Sequence, residues 1–202
     1  MNKFSVVTYY KLMSFDTYLK SIIKIGYNNE KKGPSFVWYR LSRNTINNNN
    51  IKKRPTFKID YRIPKECRAS YSDYKKSGFS RGHVANDASF DYNKESLKSI
   101  YIYSNIIPQK QRLNAYVWGG IEKYARYVTM KLRYTYVVNI ILYQDDKTIG
   151  RGVGIPTTMF KIILNNKNKF IKIFKVKQTD TIRNLKRYEI SFEELMSELS
   201  SK

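Results

Sequence analysis

The sequence predicts an α+β fold built on a mostly antiparallel central sheet. Three observations lead there: several apolar or alternating runs of strand length, one long stretch with helical spacing, and no regular strand–helix–strand rhythm of the kind that builds a parallel sheet. At 202 residues and 24.0 kDa the chain suits one domain able to bury its own core. Residues 1–202 therefore read as a single unit, with 1–30 as a packing or partner-binding appendage.

Within 9–25, the spacing of Tyr10, Leu12, Phe15, Leu19, Ile22 and Ile23 is roughly helical. Residues 35–41 (SFVWYRL) predict a first strand, and the Asn-rich stretch after it a loop. Alternation of Phe57, Ile59 and Tyr61 with Lys58, Asp60 and Arg62 predicts a half-buried strand over 56–62. A short helical turn is expected at 72–76, and a loop or short strand entering a site at 79–90. Residues 99–106 (SIYIYSNI) predict a strand that Pro108 ends before a helix over about 109–131. Leu113, Val117, Ile121, Ala125 and Val128 mark the buried side of that helix. Gly119 and Gly120 inside it cost about 1 kcal/mol each in propensity, which hints at close approach by a neighbour. Residues 134–143, apolar on both faces, predict a central strand, followed by a turn at Asp145–Lys147. Short segments at 148–155 and 158–164 and a late strand at 170–176 complete the sheet. The tail is an amphipathic helix with Ser191 as N-cap and Glu194 three residues on.

Composition narrows the partners. Lys+Arg is 38 against Asp+Glu 16, a net charge of +22 that favours nucleic acid, an acidic membrane or an acidic polysaccharide over a neutral metabolite. With one cysteine, Cys67, the chain has no intrachain disulfide and no Cys-based metal cluster. No run of 18 apolar residues predicts a membrane span, and Lys11, Asp16 and Lys20 interrupt the start, so no signal peptide is visible.

The one histidine, His83, stands in Ser80-Arg81-Gly82-His83 with Asn86 and Asp87 after it, flanked in sequence by polar residues rather than apolar ones. Imidazole is the ready base near neutrality. On the long helix Asn114, Trp118, Glu122 and Arg126 recur every four residues, placing amide, carboxylate and guanidinium on one broad side, about 80° apart from Asn114 to Glu122. A solvated face with an i,i+4 Glu–Arg pair explains that spacing equally well. Asn114 near the helix start offers an amide oxygen to a hard cation. Such ligation leaves much of the inner shell to water and suits magnesium. A two-His zinc site is excluded by the single histidine, and no GxxxxGK[ST] loop is present.

Taken together, Ser80-Arg81-Gly82-His83, Ser104-Asn105-Ile106-Ile107-Pro108-Gln109 and Asn114-x3-Trp118-x3-Glu122-x3-Arg126 resemble the DNA/RNA non-specific endonucleases, the ββα-metal (His-Me finger) family. The likeness spans roughly residues 35–165. It implies the ββα-metal endonuclease fold and magnesium-dependent hydrolysis of DNA and RNA with little sequence specificity, leaving 5′-phosphate ends. It also implies His83 as general base, one hydrated Mg2+ (Mn2+ as substitute) held directly by Asn114 and through water by Glu122, Arg81 and Arg126 beside the scissile phosphate, and Asn105 as a site amide. Two departures stand out: Ser80 where the family has Asp, and Asn86 where it usually has Pro, with Asp87 supplying charge nearby.

Arg54, Arg62, Lys75 and Lys76 are the expected substrate-binding cations, and Tyr71 or Tyr74 a stacking surface for bases of single strands, unless they belong to core or rim. A catalytically weak or inactive nucleic-acid-binding protein on the same fold is the alternative that Ser80 supports. A membrane-surface or polysaccharide-binding module is the alternative that the charge alone supports. By resemblance the placement is periplasmic, secreted or mitochondrial. A homodimer, and a protein inhibitor if the chain is cytoplasmic, fit the same family.

Overall fold

The computed structural model describes residues 23–46, 51–165, 167 and 169–200. In chain order, β1 (Ile23–Asn28) and β2 (Gly33–Ser42) form a hairpin, and β3 (Ser80–His83) opens a second layer. Next come α1 (Lys94–Ile100), β4 (Ile106–Gln109), a π-helical turn at Leu113–Trp118 and α2 (Gly119–Leu132) continuous with it. Then follow β5 (Tyr134–Leu142), β6 (Thr148–Ile149), β7 (Val153–Gly154), β8 (Thr158–Leu164), β9 (Phe170–Lys177) and α3 (Phe192–Ser200). The central sheet is antiparallel in the order β1-β2-β5-β8-β9, while β3–β4 and β6–β7 are separate two-stranded ribbons. No helix among the described residues is long and apolar enough to cross a membrane.

Alternation on the pleat divides the core in two. Val37, Tyr39 and Leu41 of β2, Val137 and Ile141 of β5, and Met159 and Ile163 of β8 face the layer that carries β3–β4 and α2. Val138, Ile140, Phe160, Ile162 and Leu164 face the other way, where Leu195 of α3 covers them. The long helix docks through Leu113, Val117, Ile121, Ala125 and Val128, buried as its spacing predicts, and also through Trp118, which the spacing places beside Asn114 and Glu122. Each fully buried aliphatic side chain of this kind contributes about 1.5–3 kcal/mol.

Several expectations change. Residues 56–62 are not a strand; Lys58 makes a lone parallel bridge to Ile102. The alternation fails because Asp60 is buried, bonded to Arg62 at 2.7 Å and to Ser104 Oγ at 2.7 Å, while Tyr61 is 75% exposed. Residues 99–106 are not a strand either. Asn93 Oδ1 accepts from the Ser96 amide at 2.7 Å and starts α1 upstream, so the apolar run is divided among the end of α1, a 3-10 turn at Tyr103–Asn105 and the start of β4. Pro108 lies inside β4, opposite Arg81, on a two-stranded ribbon where its missing N–H costs nothing in a second ladder. Ile23 and Ile25, expected in a helical segment, belong to β1; the rest of that segment lies outside the described residues. The neighbour that Gly119 and Gly120 hinted at is Leu185, 3.3 Å from where a Cβ on Gly120 would stand.

The tail helix forms as its cap predicts: Ser191 Oγ accepts from the Glu194 amide at 3.0 Å. Ser191→Ala is expected to lower stability by about 1 kcal/mol, seen as a lower urea midpoint with an unchanged slope.

Candidate active site

His83 ends β3, and its position is fixed by the backbone that follows it. The carbonyl of His83 accepts from Trp118 Nε1 at 3.1 Å, that of Val84 from Lys161 Nζ at 3.4 Å, and that of Ala85 from Asn105 Nδ2 at 3.0 Å. Asn105 Oδ1 accepts from the Ala85 amide at 2.9 Å, and its Nδ2 also reaches the Ile100 carbonyl at 3.0 Å. The buried Asn105 thus stitches the His83 segment to the end of α1.

The imidazole is packed by aromatic rings, contrary to its polar neighbours in sequence: Phe57 lies 5.0 Å away and Tyr101 4.7 Å, edge-on. Although the residue is only half-buried, Nε2 is sealed from solvent with no hydrogen-bond partner. Burial, and secondarily the nearby Arg81 charge, pull its pKa from 6.5 down to about 3, so the ring is neutral with a free nitrogen at any ordinary pH. The Arg81 guanidinium carbon lies over both the Phe57 ring (4.8 Å) and the Tyr71 ring (5.6 Å).

Across from this ribbon, the chain of the long helix widens. Gly119 N donates to Asn114 O, a five-residue step, and this π-helical turn lowers the rotation between Asn114 and Glu122 below that of an unbroken α-helix. Among the described residues, the side chains of Asn114, Glu122 and Arg126 make no hydrogen bond or ion pair, and Arg126 Nη1 is buried without a partner. The i,i+4 Glu–Arg pair that the spacing allowed is therefore not formed. Burial raises the Glu122 pKa from 4.5 to about 7 against the opposing pull of Lys161 and Arg126, with Asp87 adding to the rise. A half-buried amide oxygen and a carboxylate without protein partners suit a hard, hydrated cation, and Asn114 and Glu122 are the residues that would hold it.

Beneath Glu122 lies a group with no role in the sequence reading. Lys161 is wholly buried in β8, directly opposite Asn139 of β5. Its Nζ bonds Asn139 Oδ1 at 2.6 Å and Tyr39 Oη at 3.4 Å, and sits 4.1 Å over the Trp118 ring. Burial pulls its pKa down to about 8, with Glu122 opposing the shift. The available signal was a lysine inside the apolar run Met159–Leu164, where an unpaired charge is not tolerated.

The remaining expected residues divide. Asp87 joins the site, accepting from the Tyr101 hydroxyl and pairing with Arg54 at 2.7 Å; Arg54 also reaches Asp91 at 3.0 Å. Asn86 is buried just before the 3-10 turn Asp87–Ser89, and Ser80 is half-buried opposite Gln109. Arg62 is committed to Asp60, whose carboxyl those bonds hold at about 2. The side chains of Lys75 and Lys76 are exposed and make no hydrogen bond or ion pair among the described residues. Tyr74 is buried with its hydroxyl on the Ile106 carbonyl, which removes it as a stacking surface.

A ββα unit with its histidine at the end of the first strand and its asparagine on the helix is now in place, and the family model for DNA/RNA non-specific endonucleases matches residues 13–197. The chain belongs to that family. Mitochondrial nuclease EXOG of Xenopus laevis is 32% identical over 152 residues, covering 69% of this chain and 42% of the relative. Human mitochondrial endonuclease G is 28% identical over 150 residues, covering 68% and 50%. The chain thus spans half or less of the length of these curated relatives. A chain in the crystal structure of the EndoG/EndoGI complex superposes with a TM-score of 0.81 at 21% identity, covering 90% of this chain and 82% of that one, which shows the α+β ββα fold.

Two measurements follow from the buried charges. A histidine whose folded pKa lies below its unfolded value adds stability above pH 6.5 and loses it as pH falls toward 3. Between pH 6.5 and 4, urea unfolding is expected to show a drop of about 3 kcal/mol from this group, reduced in His83→Gln. Lys161→Met leaves buried Asn139 Oδ1 and the Val84 carbonyl without this donor and is expected to cost about 1–3 kcal/mol in urea unfolding.

Proposed function

We propose that the chain hydrolyses phosphodiester bonds of DNA and RNA with little sequence specificity, using a divalent cation, Mg2+ with Mn2+ as substitute. The observation that carries this reading is a neutral imidazole with an unpartnered Nε2, set in a ββα unit whose Asn114, Glu122 and Arg126 side chains are likewise unpartnered.

In this reading the His83 imidazole takes the proton of a water as it attacks phosphorus. Asn105 acts through backbone bonds, holding the His83 segment rather than touching substrate. Asn114 would hold the cation directly and Glu122 would order its waters; when bound, the cation would supply charge stabilisation at the phosphate. Cleavage of the P–O3′ bond leaves a 5′-phosphate. Arg126 and Arg81 lie on the two sides of the site, and their guanidinium groups stabilise developing phosphoryl charge. A weak base is a cost of the aromatic packing around His83. Its gain is that the ring is neutral, with one nitrogen free of a proton, when substrate arrives.

The basic surface supplies sequence-independent affinity. Lys52, Lys53, Arg54, Lys94 and Lys98 line an open cleft of about 480 Å³ that runs from the Arg54–Asp87 pair, a path for the phosphate backbone. Arg62, Lys75 and Lys76 contribute to the field rather than to a built contact. Residues 1–202 are proposed as one nuclease domain. A homodimer, and an inhibitor protein for a cytoplasmic form, remain within this proposal.

Ser80 favours a second reading, a nucleic-acid-binding protein of weak turnover. In that case Asp87, beside Tyr101 and Arg54, is the acidic group closest to the His83 ring's packing partners.

Digestion of supercoiled DNA and of RNA, side by side, separates the two. Cleavage that needs Mg2+, stops in EDTA and falls roughly 10²–10⁴-fold in His83→Ala is the expected result; binding without metal-dependent cleavage favours the second reading. Because Glu122 holds its proton up to about pH 7, a proton competes with the cation below that pH. Apparent Mg2+ affinity is expected to rise as pH rises through 7, with a shallower rise in Glu122→Gln.

A further inference from the structure

The turn that carries Tyr71 is more strongly held than a four-residue helix requires. A single helical turn is unstable alone, yet Tyr71–Tyr74 is fixed from both ends. The Ser70 amide and hydroxyl each bond Asp73 Oδ2 at 2.8 Å, closing a capping box around the turn. From the β6–β7 ribbon, Arg151 donates its amide and Nε to Asp73 Oδ1 at 3.0 Å and Nη2 to Asp73 Oδ2 at 3.1 Å. The ribbon can approach this closely because Gly150 has φ +52° and no Cβ; one there would stand 2.4 Å from Asp73 Cα. Asp73 is 2% exposed, so a buried carboxylate is committed to this turn, and Tyr74 pins its far side in the core.

The outward residue of this clamped turn is Tyr71, 56% exposed. Its inner face is covered by the Arg81 guanidinium at 5.6 Å, Arg81 lies on Phe57 at 4.8 Å, and Phe57 lies against the His83 ring at 5.0 Å. A run of ring and guanidinium contacts therefore leads from the imidazole, through tilted Phe57 and Arg81, to a tyrosine open to water.

We infer that the outer face of Tyr71 is a stacking platform for an unpaired nucleobase, so that the site prefers single-stranded nucleic acid. The inference rests on the hydrolytic reading only in taking nucleic acid as the partner. A flat π surface beside a cation, on a chain carrying +22, complements a base attached to phosphates. Bases of a duplex are already stacked and paired and do not reach a lateral platform without unstacking. Stacking on any base face is sequence-tolerant, in keeping with broad specificity. The clamp means that the platform is set before substrate arrives, with little ordering left to do on binding.

Two readouts test this with Tyr71→Ala and Tyr71→Trp. In EDTA, a short single-stranded DNA carrying 2-aminopurine is expected to lose fluorescence on binding the wild-type chain and Tyr71→Trp, and not on binding Tyr71→Ala. With Mg2+, the ratio of the single-strand KM to the duplex KM is expected to rise about 5- to 150-fold in Tyr71→Ala and to return in Tyr71→Trp. Quenching that persists in Tyr71→Ala overturns the inference. So does an equal fall of kcat on both substrates, which would make Tyr71 only a support for Arg81. Quenching by a wild-type chain that cleaves nothing removes the hydrolytic reading and leaves the platform standing.

Discussion

Three successive carbonyls control this architecture. After His83 the chain leaves its ribbon and passes into the interior, where a buried carbonyl without a donor is costly. The carbonyls of His83, Val84 and Ala85 are each met by a side chain from a different element: Trp118 from the long helix, Lys161 from the central sheet, Asn105 from the turn after α1. Satisfying the backbone here and assembling the site are the same event. The indole that caps His83 belongs to the helix bearing Asn114 and Glu122, so ribbon and helix cannot move apart without exposing a polar group. The same bonds give Asn105 and Trp118 of the motif a structural task, holding the segment that starts at His83.

Electrostatics extend this constraint. Tyr39, Asn139 and Lys161 form a polar island within an otherwise apolar face, directly under the helix. Its cation offsets part of the cost of holding Glu122 in a site of low dielectric. On the other side Arg54 and Asp87 balance each other at the rim. The protein keeps like and unlike charges near one another without closing the Glu122–Arg126 pair, leaving both groups free for a ligand. That condition is expensive for a folded chain and common where chemistry is done.

Much of this was legible in sequence because it depends on local pattern. The central strand 134–143, the long helix and the capped tail follow from periodicity and Ser191, and the site motif from residue types at fixed spacing. The losses have a common cause. Asp60 and Tyr61 reverse the alternation at 56–62 because an ion pair and a hydroxyl from 44 residues away bury the acid. In 99–106 the apolar residues are required by tertiary contacts on several sides, so their density imitated a strand. The polar flanks of His83 misled for the same reason: its aromatic neighbours, Phe57 and Tyr101, come from elsewhere in the chain. Lys161 and the Asp73–Arg151 clamp act over long sequence separations that no window encloses.

The π-helical turn at Leu113–Trp118 makes the width of the turn the quantity on which the rest of the helix depends. It accommodates one residue more than a regular helix would. Were the turn to tighten to ordinary pitch with every residue kept, everything after it would swing by about 100°. Ile121 would leave the core as Glu122 left the site, and packing and chemistry would fail together. Substitutions on the exposed positions of the turn, such as Ala115, carry no such penalty.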